Sequence, residues 1–297
     1  MADPATAGTV ASPPPTDFGI ELEFEPNSGD PSRIFRTMTG LIEACETIDQ
    51  DLAASISIAA KPVLVLQNIE ASSLTAWLKY VLESVDDDAL KSLDWKKAVG
   101  AYLVKGKRRM VEFLGSRSTI KRAGEIYELQ AELGEVVDET GLTQISLSSP
   151  IPAPRVAEGL RLLSQATTPL TPGDKAQFVT DEGRVPINTS FRVTAEQIEE
   201  ILTRERITNE LEMILMVKKP DFLGDSMWDF RHEGKRIPAK VVDSEWLGNF
   251  HTGTIALRSG DALRAWVEIE TNYGNDREVL ATHYRVLKVL EVIPRSG

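Results

Sequence analysis

Between Trp95 and Arg122 the chain carries nine cations and one acid, Glu112, a local charge of +8 in a protein of formal net charge −12. Trp95, Val99, Tyr102, Leu103, Gly106, Met110, Phe113 and Leu114 recur there at intervals of three and four. At about 100° per residue that spacing gathers them on one face of a helix. Lys97, Lys105 and Arg108 then fall on the far side, and Lys96, Lys107 and Arg109 flank the apolar stripe. A helix over Trp95–Leu114 is about 30 Å long. Gly115 suits a left-handed C-cap, and Lys107, Arg108 and Arg109 suit the negative end of the helix dipole. The apolar face demands a second layer to cover it. The cations demand solvent, an anionic partner, or the acids of the chain itself, with Glu21, Glu23 and Glu25 the nearest set in view.

The remaining composition narrows the class. A length of 297 residues predicts about two domains. An apolar fraction of 42% with 26% charged residues is globular. No run reaches the roughly 18 apolar residues a membrane span needs; the richest, Ile56 to Leu66, is broken by Lys61 and Pro62. The N-terminus has no basic and apolar signal pattern, and 1–17 reads as a disordered tail. A lone cysteine, Cys45, cannot form an internal disulfide, so the reading is cytoplasmic. The pI near 4.9 argues against general nucleic-acid affinity and confines any such contact to the basic helix.

Taken in order, Phe18 to Glu25 alternates apolar and acidic, a half-buried strand whose three carboxylates could meet a divalent cation or the basic helix. Ser32 to Leu52 is a helix, with Ile34, Met38, Leu41, Cys45, Ile48 and Leu52 on one stripe, which makes Cys45 a buried, inert thiol. Lys61 to Glu70 is a strand apolar enough for burial on both faces. Ser72 to Leu82 fits either a helix or a strand, an acidic patch occupies Glu83 to Asp88, and Ile120 to Val137 is helical. Ser146 to Gly173, rich in proline and serine around a short helix (Arg155 to Gln165), reads as a linker. Beyond it come short strands with tight turns, a hairpin at Asp181-Glu182-Gly183, and a helix capped by Thr194 with Gln197 three residues on. The expected fold class is α+β. An α/β domain with a helical extension spans 18–145, a linker 146–173, and a β-rich domain, a small antiparallel barrel or sandwich, 174–297.

The run KPDFLGDSMWDFRHEGKRIPAKVVDSEWLGNF, with LRSGDALRAWVEIE and YRVLKVLEV, resembles the C-terminal domain of a group of uncharacterised bacterial proteins. FGIELEFEP, the long helix and IEASSLTAWL are similar to the front half of that group. The resemblance implies a two-domain layout and supplies no catalytic residue.

Chemistry-bearing patterns are sparse. Pro220-Asp221 with Glu233-Gly234-Lys235 spells the signature of the PD-(D/E)xK nucleases, which makes Asp221, Glu233 and Lys235 the alternative catalytic set of a metal-dependent nuclease. His232, His251 and His283 lack zinc-ligand spacing. No phosphate-binding glycine loop and no GxSxG is present. Trp228, Trp246 and Trp266 read as core or barrel-mouth residues, or as a ring that stacks bases or lines a peptide groove. The resulting expectation is a non-enzymatic binding or adaptor protein without cofactor or metal. Its contacts would be Lys97, Lys105, Lys107, Arg108, Arg109, Arg117, Lys121 and Arg122, and its partner a protein, or nucleic acid through the same helix.

Overall fold

The computed structural model describes residues 17–25, 29–56, 60–70, 74–84, 95–144, 148–221, 226–258 and 260–295. Residues 1–16 of the expected tail and most of the acidic patch lie outside them, while Asp17, counted in that tail, opens the first strand. The chain divides into two compact units, 1–201 and 202–297. No helix among the described residues is long and apolar enough to cross a membrane.

The first unit contains β1 (Asp17–Glu23), α1 (Ser32–Ala54), β2 (Ala60–Glu70), β3 (Leu74–Ser84), α2 (Trp95–Leu114), α3 (Ala123–Glu139), α4 (Ala153–Ala166), β4 (Lys175–Thr180) and β5 (Gly183–Ile187). The strands form one antiparallel sheet in the order β2-β3-β1-β4-β5. Phe18, Ile20 and Leu22 of β1 and Phe178 of β4 are buried with the stripe of α1. The rings of Phe18 and Phe178 stack with centroids 5.0 Å apart. Helix α2 has the bounds its periodicity predicts.

Three expectations change here. The linker is not one: α4 packs on α1 and buries Val156, Leu160 and Leu163. A Cβ on Gly159 would sit 2.5 Å from Met110 and 3.0 Å from Ile48, so that glycine permits the close approach of three helices. Strands β4 and β5 complete the first sheet, so the boundary falls between Ile201 and Leu202 instead of within 146–173. Strand β2 is an edge strand, with Val63 and Leu66 48% and 51% exposed, and Pro62 fits that position because an edge tolerates a missing donor. Helix α5 (Ala195–Leu202) begins with the expected capping box. Thr194 Oγ1 accepts from Gln197 N at 3.2 Å, and Gln197 Oε1 accepts from Thr194 N at 2.9 Å.

The second unit is the expected barrel. Strands β6 (Glu205–Lys219), β7 (Trp228–His232), β8 (Lys235–Val241), β9 (Ala262–Tyr273) and β10 (Val279–Ile293) close in the order β10-β8-β7-β6-β9, with helix α6 (Ser244–His251) between β8 and β9. All pairings are antiparallel except β8 with β10. Alternation does the filling: Met213, Leu215 and Val217 point in, as do Phe230, Ile237, Ala239 and Val241. Helix α6 inserts Trp246 and Phe250 against Trp228, with centroids 5.8 and 5.2 Å away. Asp243 holds that helix in place. Its Oδ1 accepts from Trp246 N at 3.1 Å, and its Oδ2 accepts from Val289 N at 3.0 Å.

Candidate anion-binding surface

The basic helix keeps few of its cations for a partner. Lys107 is 1% exposed. Its ammonium pairs with Asp49 of α1, donates to the Tyr80 hydroxyl, and lies 4.7 Å over the Phe18 ring. Burial pushes the Asp49 carboxyl up to about 6, with Lys107 opposing the shift. Lys105 reaches Glu139 and Glu182 at 3.4 and 3.5 Å. Arg108 meets Glu112 at 2.9 Å and Glu182 at 3.3 Å, and Arg109 meets Glu139 at 3.1 Å. The acids that answer Lys105, Lys107, Arg108 and Arg109 are therefore Asp49, Glu112, Glu139 and Glu182. Glu21 and Glu23 instead serve Arg184 of β5 and Lys175 of β4, at 2.9 and 3.0 Å.

Exposed cations survive at the helix start and beyond its end. Lys97 is exposed. Arg117 lies 4.1 Å over the Phe113 ring, Lys121 is exposed, and Arg122 stands 3.8 Å from Glu125. Arg192 joins them, because its backbone N–H donates to Ser118 O at 2.9 Å.

The nuclease triple does not converge. Asp221 follows β6 beyond the Lys219–Asp229 register pair, where its carboxylate accepts from Ser226 N at 2.9 Å. Glu233 sits in the turn at the other end of β7, roughly 13 Å of strand away. Glu233 and Gly234 both have positive φ, 47° and 81°, as a two-residue hairpin turn requires. Turn geometry thus accounts for the Glu-Gly-Lys spelling. No group of three His, Cys, Asp or Glu among the described residues could hold a metal ion.

The barrel collects a different set. Alternation sends Ile214, Met216 and Lys218 of β6, Asp229 and Arg231 of β7, and Arg236, Pro238 and Lys240 of β8 to the outside. The register places Arg231 between Met216 and Arg236, and Lys240 beside Arg285 of β10. Arg231 directly opposite Arg236 is a like-charge cross-strand pair, which costs stability. Asp229 answers Arg236 at 2.8 Å and Lys218 at 4.0 Å; Glu268 answers Arg285. Among the described residues, Arg231 and Lys240 pair with no acid. The surroundings do not oppose them, since 202–297 holds 14 Lys and Arg against 15 Asp and Glu. The acidity of the protein resides in the first unit.

Sequence reading missed this face. The alternation of Arg236, Pro238 and Lys240 with Ile237, Ala239 and Val241 was the available signal, but only the register shows that Arg231 and Met216 lie beside it.

A closed five-stranded barrel with this strand order, a parallel β8–β10 pair and a helix between its third and fourth strands has the connectivity of the OB-fold, in which the face of the second and third strands binds oligonucleotides or oligosaccharides. Here those strands are β7 and β8. No protein-family model, curated protein or solved structure matches the chain. The resemblance to uncharacterised bacterial proteins therefore rests on the quoted segments alone.

Proposed function

We propose that the protein is a non-enzymatic, cytoplasmic binding protein whose barrel takes an anionic macromolecule, a nucleic acid, on the β7–β8 face. The observation that carries this is the pair of unanswered cations, Arg231 and Lys240, on the face where OB-type barrels bind. Retaining Arg231 opposite Arg236 against a stability cost is explained by a ligand that supplies the missing negative charge. Contact rather than catalysis is what the face offers: its cations and apolar side chains surround one acid, Asp229, already engaged by Arg236 and Lys218. Fold alone does not imply function, so the argument rests on these side chains.

An anionic protein partner on the basic helix has support only at Lys97 and at the cluster of Arg117, Lys121, Arg122 and Arg192. It is the second reading.

Fluorescence anisotropy with labelled oligonucleotides, duplex and single-stranded, tests the proposal. Arg231→Glu with Lys240→Glu is expected to weaken binding at least about tenfold. The slope of log affinity against log salt should become shallower by about 1.8 for duplex or about 1.4 for single strands, two phosphate contacts' worth. No binding of either form by the wild type at low salt would refute it.

A further inference from the structure

The cationic face continues into an apolar row that ends at an exposed tryptophan. Outward positions on β6 run from Met216, beside Arg231, through Ile214, beside Arg264, to Glu212, beside Trp266 of β9. Ile214 and Met216 are 54% and 48% exposed, and Trp266 is 43% exposed. The barrel's other tryptophans, Trp228 and Trp246, are 2% and 8% exposed. Lys288 of β10 is the register partner of Trp266 and is exposed, with no acid paired to it among the described residues. Arg264 answers Glu212 and Glu291 at 3.3 and 3.0 Å, and with Lys288 beside Trp266 the two cations balance the two acids. Glu210, opposite Glu268 one step further on, bounds the path.

A lone exposed tryptophan on a soluble protein is ordinary. This one lies at the end of a continuous strip with a cation beside it. From Arg231 to Trp266 the strip runs about 13 Å along the strands and about 10 Å across them, a span of several nucleotides. We propose that the ligand of the barrel is a single-stranded nucleic acid, with Trp266 stacking on a base and Lys288 meeting the adjoining phosphate. This rests on the proposed function, which supplies the phosphate contacts at Arg231 and Lys240. A duplex could satisfy those cations, but its bases stack on one another and present only edges in the grooves. An unpaired base offers the ring face that an exposed indole takes up, with little regard to sequence.

The test uses the full chain and three labelled probes: a dT oligomer of about 12 nucleotides, long enough for one OB-type site, a hairpin duplex, and a poly-glutamate peptide. The dT oligomer should bind at least about tenfold more tightly than either of the others and should quench intrinsic tryptophan fluorescence. Trp266→Leu should weaken dT binding about tenfold to a hundredfold, the range of a lost base–aromatic stack. Trp266→Phe should retain most affinity and abolish most of the quench. Equal binding of dT and duplex, or indifference to Trp266→Leu, would overturn the single-strand assignment while leaving the nucleic-acid reading standing. Preference for poly-glutamate, or no binding of either nucleic acid, would overturn both.

Discussion

Lys107 of α2 and Asp49 of α1 form an ion pair with side chains 1% and 2% exposed, beneath the first sheet. The hydroxyl of Tyr80 donates to both Asp49 oxygens at 2.9 Å, and Leu103 O accepts from the Lys107 ammonium at 3.1 Å. The central cation of the most basic segment thus serves the core. An unpaired buried charge costs far more than a buried pair contributes. Lys107→Met is therefore expected to destabilise the protein by about 3–5 kcal/mol, by leaving Asp49 alone. Lys107→Met with Asp49→Leu should recover most of that loss. Urea unfolding followed by far-UV circular dichroism checks both, and a double variant no better than the single would refute the pairing argument.

Arg33 and Asp174 form a second buried pair, bidentate at 2.8 and 3.0 Å, tying α1 to the start of β4. The Arg33 guanidinium and the Thr171 donors hold the Asp174 carboxyl down at about 2. Because the folded value lies below the ordinary one, its stabilisation is present above about pH 4 and fades as pH falls toward 2. The displacement corresponds to about 2–3 kcal/mol at neutral pH. Asp174→Asn should lower stability at pH 7 by about that amount and flatten the loss between pH 4 and 2, read from thermal midpoints across that range.

Asp243 caps α6 and also binds Val289 N of β10. Asp243→Ala should cost about 1–3 kcal/mol, a lost cap together with an orphaned donor. Near-ultraviolet circular dichroism should report it, because Trp246 and Phe250 would loosen against Trp228.

Limited proteolysis checks the division of the chain. Residues 153–166 should resist cleavage, since α4 buries Val156, Ala157, Leu160 and Leu163. Early cutting within α4 would restore the linker reading.

Much of the fold is legible in the sequence because periodicity is local. The stripe of α1, the bounds of α2, the Thr194 cap and the alternating strands of the barrel all follow from neighbouring residues. What fails is long-range. Strand β1 pairs with β4 more than 150 residues away, as Glu23 with Lys175 shows, and prolines near α4 conceal a helix that buries one face. Lys107 lies one turn beyond Leu103 at the margin of the apolar stripe, and periodicity cannot say that Asp49 waits across the helix pair. The eight cations expected as contacts rest on charge density, which carries no information about answering acids such as Glu139 and Glu182. For the barrel face, each strand's outward residues were readable but their lateral neighbours were not.

The most direct measurement sets the two surfaces against each other in one titration series with a labelled single-stranded oligonucleotide. Arg231→Glu with Lys240→Glu should weaken binding at least about tenfold and make the salt slope shallower by about 1.4. Arg117→Glu with Lys121→Glu and Arg122→Glu should leave affinity within about threefold, the residual being long-range repulsion screened beyond about 8 Å at physiological salt. The reverse pattern, binding lost with the 117–122 variant and retained with the barrel variant, would contradict the assignment of the site to the barrel.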